Sequence, residues 1–297
     1  MTIEMLNRVF AHVSRYAQRS VWAVMIMMSA SCASLVGSMT QSFSENLAAA
    51  ILDSEDPGMV RDGAPSFLLL IDSLIAGSPN NAGMLSQSAQ LYSAYASAFV
   101  AEPERSALLH DKAREQIFTA SCQVLDDGCN LDSRPFAEFT AWLGGQKERD
   151  LPALYNLASI WAGWVQSRSD DFVAIAELAR VKALMQRVVE LDPGYLDGNA
   201  FLYLGVFETL LPPAMGGRPD IGRAHFERAI EISDGKNLMA KVMYASQYAR
   251  LMFDQELHDK LLNDVIKADV RATGLTLTNT LAKEQAQELL DGSNDYF

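Results

Sequence analysis

The sequence predicts an all-α fold built from stacked helical hairpins, and three observations carry that prediction. Runs of alternating β-branched residues are missing, and Ala, Leu, Met, Gln and Glu dominate the apolar segments, the residues that lose least on entering a helix. Those segments run for roughly 12–20 residues between clusters of Gly, Pro, Asn and Asp, which break helices. One spacing of side chains then recurs along the chain, the mark of a helical repeat. With 297 residues, 49% of them hydrophobic, the chain can build a sizeable core and is too apolar to be disordered.

The recurring spacing is clearest at Leu154, Leu157, Ala158 and Trp161, which place a large, a large, a small and an aromatic side chain on one helix face. The same offsets give Leu85, Ser88, Ala89 and Tyr92, then Phe201, Leu204, Gly205 and Glu208, then Met239, Val242, Met243 and Ser246. A small third side chain lets a partner helix approach closely. Each set is followed by a second helix with a bulky residue, a small or β-branched one three later, and a polar stop. These are Phe118 and Ser121, Met185 and Val188, Phe226 and Ala229, and Leu262 and Val265. The pairing is tetratricopeptide-like. The alternative is an irregular helical bundle, because any amphipathic helix shows such offsets. Residues 35–52 and 64–76 are expected to form an N-terminal pair, stopped by Asp56-Pro57-Gly58 and Gly77-Ser78-Pro79. Residues 279–291 are expected to cap the C-terminal end, with Glu284, Gln285, Gln287 and Glu288 facing water.

The N-terminus has a basic stretch (Arg8, Arg15, Arg19), an apolar run from Val21 to Met28, small residues and then Cys32. That order resembles a bacterial lipoprotein signal, in which cleavage leaves a lipid-bearing Cys32 at the new N-terminus. Ser29 stands where such signals usually carry an aliphatic residue; the alternative is an ordinary signal peptide cut near Ala33. The apolar run falls well short of the roughly 20 residues that span a bilayer. The expected organisation is a signal peptide over 1–31 and one helical domain over 32–297. The expected location is the periplasm, with lipid as the only membrane anchor. The charge of −13 disfavours nucleic acid and anionic lipid surfaces as partners.

A search for chemistry returns little. No His pair has metal-ligand spacing, and neither a P-loop, a G-x-G-x-x-G nor a G-x-S-x-G occurs. The expectation is a binding scaffold with no catalytic residue, metal or cofactor. Cys122 and Cys129 lie across the Asp126-Asp127-Gly128 turn, close enough to bridge in an oxidising compartment; the alternative is two free thiols. The loop containing Leu211, Pro212, Pro213, Met215, Gly216 and Gly217 is longer than a hairpin needs. It reads either as a shaped turn or as a contact site. Trp161, Trp164, Phe201 and Tyr203 crowd the first-helix faces and are candidates for lining an apolar cavity, against a plain core role.

Asp62-x-Ala64-Pro65, Pro79-Asn80-Asn81, the Tyr92-x-x-Tyr95-Ala96 helix and Leu211-Pro212-Pro213-x-x-Gly216-Gly217 ahead of Ala224-x-Phe226 together resemble one family. It is the T-component family of tripartite ATP-independent periplasmic (TRAP) transporters. The likeness runs from about residue 32 to the C-terminus. It implies a tetratricopeptide-like periplasmic lipoprotein that associates with the transporter's substrate-binding protein, forms trimers and holds an apolar channel for a hydrophobic small molecule. The competing role is a general protein-interaction scaffold of the envelope.

Overall fold

The computed structural model describes Leu47 and residues 49–297. The expectations for the signal peptide and for Cys32 lie outside the described residues, as does most of the 35–52 helix. The chain divides after Leu52, and its second unit runs from Asp53 to Phe297. No strand occurs among the described residues.

The first helix, α1 (Pro57–Gly77), begins earlier than expected. Asp56-Pro57-Gly58, read from sequence as a stop, is a start. The Asp56 carboxylate accepts from the Met59 N–H at 2.9 Å, and Pro57 occupies the first turn, where its missing N–H has no partner to lose. Asn81 caps α2 (Ala82–Phe99) in the same way, accepting from the Met84 N–H at 3.0 Å.

Four hairpins follow. The first pairs α2 with α3 (Pro103–Val124). A short helix that the spacing did not predict, α4 (Phe136–Gly144), intervenes. The second pairs α5 (Leu151–Gln166) with α7 (Leu178–Leu191), their turn holding the small helix α6 (Phe172–Ala176). The third pairs α8 (Asn199–Thr209) with α9 (Pro219–Ile232). The fourth pairs α10 (Leu238–Met243), which continues as a π-turn over Tyr244–Ala249, with α11 (Gln255–Lys267). Helix α12 (Thr276–Asp291) covers the last hairpin and α13 (Ser293–Tyr296) closes the chain. Glu284, Gln287 and Glu288 face solvent, as a capping helix requires, and Gln285 is half-buried.

The repeated offsets fall on the packed faces. Leu154, Leu157, Ala158 and Trp161 are fully buried, and Leu85, Ser88, Ala89 and Tyr92 are buried with them. The small third position matters most at Gly205. A Cβ there would sit 2.8 Å from the Phe226 ring, and one at Gly222 would sit 2.6 Å from the Thr209 methyl. Helices α8 and α9 therefore touch nearly backbone to backbone. The fourth set is looser: Met239, Met243 and Ser246 are half-buried where the helix opens into the π-turn.

Candidate functional site

Helix α8 is apolar all round (Phe201, Leu202, Tyr203, Leu204, Val206 and Phe207), the composition of a helix packed on every side. It contacts α7, α9 and the π-turn. Its last turn carries Glu208, buried despite its charge. The position is the last of its repeated set, where the clearest set carries Trp161, and the reason for a carboxylate there is visible in the structure. Arg218, just beyond the loop, donates from Nε and Nη2 to the Glu208 carboxylate at 2.9 and 2.6 Å, and Lys182 of α7 donates from 2.7 Å. Burial alone would raise the Glu208 pKa. The hydrogen bonds from Lys182 and Arg218 outweigh it and hold the carboxyl below its usual range. His225 faces the same cluster, its pKa lowered by burial, with Lys182 and Arg218 opposing the attraction of Glu208.

This ion cluster pins the loop. The Arg218 N–H donates to the Glu208 carbonyl at 2.9 Å, and the Gly217 N–H to the Pro212 carbonyl at 3.2 Å. Pro213–Met215 forms one 3-10 turn, and Gly216 takes φ +94°, a region that side chains disfavour. Gly217 is demanded by space: a Cβ would lie 1.6 Å from the Leu211 carbonyl oxygen. Both glycines and both prolines thus shape the turn, while Leu210 and Leu211 remain exposed on it.

The other nominated side chains disperse. Trp161 sits wholly in the core, edge-on to Phe118 and Phe139, with its indole N–H donated to Glu177. Arg114 ties that carboxylate to Asp132 and lies 4.6 Å over the Trp164 ring. Trp164 is half-buried, flanked on its ring by Arg168 and donating to Asp111 at 2.9 Å. Phe201 packs beside His225, and Tyr203 against Tyr155 and Phe207. A cleft of about 680 Å³ opens elsewhere, lined by Asp53, Asp197, Asp234, Lys236, Arg271 and neighbours. None of the nominated residues lines it. The ion cluster of Lys182, Glu208 and Arg218 escaped the sequence reading, in which Glu208 stands only as a repeat position; the signal for it was a carboxylate inside an otherwise apolar helix.

Cys122 and Cys129 are joined through their sulfurs. The bond closes a short loop, so reducing it should cost about 2 kcal/mol through the freed unfolded chain. Thermal melting with and without a thiol reductant checks this; identical curves would show that the bond contributes nothing.

Among the described residues, no cluster of three or more His, Cys, Asp or Glu is placed to hold a metal, and no helix is long and apolar enough to cross a membrane. No curated protein matches the chain closely enough to count as a relative. A family model described as the TRAP transporter T-component matches residues 53–297. The chain belongs to the TRAP transporter T-component family. That is a family of transport components. The match spans the whole described unit, from before α1 to the last residue, so the four hairpins, the glycine-rich loop and its Glu208 anchor are all part of the T-component body.

Proposed function

We propose that this chain is a periplasmic auxiliary component of a TRAP transporter that binds the transporter's substrate-binding protein and is held at a bacterial membrane by lipid on Cys32. The family match over residues 53–297 carries the reading. The all-helical body and the absence of a spanning helix among the described residues support it. The loop is proposed as part of the contact, its backbone fixed by Glu208 and its Leu211 turned outward. A rigid loop loses little entropy on binding. A hydrophobic small molecule is proposed for the half-buried face of α8 that carries Tyr203 and Phe207, one turn apart, since Trp161 is committed to the core and Phe201 lies on the other side of the helix against His225. Self-assembly into a trimer is proposed on family grounds alone.

Two experiments test the reading. Titration of the purified substrate-binding protein into the full chain should give saturable binding, and a flat isotherm would overturn the function. Cys32→Ser should move the protein from the membrane fraction to the soluble periplasm. Unchanged membrane association in that variant would refute the anchor.

A further inference from the structure

The second to fourth hairpins run up and down in alternation, so the turn inside each falls at one end of the stack. Side-chain contacts fix this. Lys182, near the start of α7, reaches Glu208 at the end of α8. Arg218, at the start of α9, meets the same carboxylate. The Tyr244 hydroxyl donates to Glu227 at 3.1 Å, and each of the two residues lies roughly two turns of helix from this end, Glu227 on the segment leaving it and Tyr244 on the segment approaching it. The turns over residues 167–177, 210–218 and 250–254 are therefore neighbours.

All three turns expose large apolar side chains. The second hairpin offers Phe172, 90% exposed, with Val173 and Ile175. The third offers Leu210 and Leu211, with Ile221 in the first turn of α9. The fourth offers Met252 and Phe253, the latter 73% exposed, and Tyr296 stacks beside Phe253 at 6.2 Å between ring centres. At the opposite end, the turns over 192–198, 233–237 and 268–275 expose one large apolar side chain, Leu196, around the charged cleft.

The fourth turn is held by its own contacts. Phe253 holds φ +54°, a conformation that costs a side chain energy and persists where surrounding contacts dictate it. Its N–H donates to the Arg250 carbonyl at 3.1 Å, the Asp254 N–H to the Ala249 carbonyl at 2.9 Å, and the Asp254 carboxylate caps α11. Arg250 lies 4.3 Å over the Tyr296 ring. With packed helices 8–10 Å apart, the three turns extend roughly 30 Å. That length fits a standard interface of about 800 Å² per partner.

We infer that this three-turn apolar end is a docking surface for another protein, one whose contact face is aliphatic and aromatic and rimmed by Lys and Arg. The rim follows from charge: Asp170, Asp171, Asp220, Asp254 and Asp295 are exposed around the apolar side chains. The same carboxylates repel an anionic bilayer. The inference rests on the reading of the chain as a partner of the substrate-binding protein and names the surface that does the work.

The test titrates the purified substrate-binding protein into the full chain, wild type and variants. Phe172→Asp should weaken binding about tenfold, and the triple variant Phe172→Asp, Leu211→Asp, Phe253→Asp about a hundredfold or more. Leu69→Asp, an equally exposed change on α1, should leave it unchanged. Circular dichroism and melting should match wild type throughout, because all of these side chains are exposed. If wild type binds and the single and triple variants bind equally well, the docking surface is wrong and the transporter reading stands. If wild type does not bind, the transporter reading falls and takes this surface with it. Phosphatidylglycerol vesicles captured by wild type and not by the triple variant would assign the end to lipid and overturn the proposal. Self-association lost in the triple variant, with substrate-binding-protein affinity unchanged, would assign it to a second copy and overturn it as well.

Discussion

Trp161→Ala should cost about 3–5 kcal/mol of folding stability, among the largest effects of any single change in this chain. The side chain is fully enclosed, and its removal leaves a hole between Phe118 and Phe139 that neither ring can fill without leaving its edge-on contact. The loss runs deeper than volume. The Trp161 indole N–H is one of the donors to Glu177, so the variant also strips that carboxylate of a hydrogen bond and leaves it to Arg114. Chemical denaturation of wild type and variant measures the difference. A cost below about 1 kcal/mol would mean that the site collapses freely and that Trp161 is not a keystone of the second hairpin.

Glu208→Ala should cost about 2 kcal/mol and loosen the loop. The carboxylate is the one group that α7, α8 and the loop share. Without it, Lys182 and Arg218 are left facing each other beside His225. Both cations are partly exposed, so water softens the penalty below that of a fully buried pair. Loosening should appear as faster hydrogen exchange at the Gly217 and Arg218 amides, whose acceptors are the Pro212 and Glu208 carbonyls. A pH signature accompanies it. The folded pKa of Glu208 is depressed, so its stabilisation is complete above the carboxylate's unfolded pKa and is lost as pH falls through the folded one. Glu208→Gln should remove that part of the acid dependence. Unchanged exchange in the alanine variant would show that the prolines and glycines hold the loop unaided.

The hairpins were legible because close helix packing imposes a rule that sequence can display. A small residue must stand where backbones cross, and Ala89, Ala158 and Gly205 are buried there. The start of α1 was misread because Asp-Pro-Gly both ends and begins helices. Only the Asp56 carboxylate reaching the Met59 amide decides between the two. Helix α4 carries no partner set and left no pattern to find. The two loop glycines were recognisable as shape-makers, since nothing larger fits Gly217. The ion cluster that anchors the loop was not, because Lys182, Glu208 and Arg218 are far apart in sequence and meet only through the α7–α8–α9 packing. The gathering of Phe172, Leu211 and Phe253 at one end was hidden for the same reason. Each sits with a neighbour or two exposed in its own turn, and only the alternation of the hairpins brings the turns side by side.

In-cell photo-crosslinking tests the central claim most directly. A photoreactive phenylalanine analogue placed at Phe172 or Phe253 of the full chain, with Leu69 as the control position, records which protein lies within reach of each side chain. The account predicts an adduct with the transporter's substrate-binding protein from both turn positions and none from Leu69. Adducts with other envelope proteins alone, or an equal yield from Leu69, would contradict it.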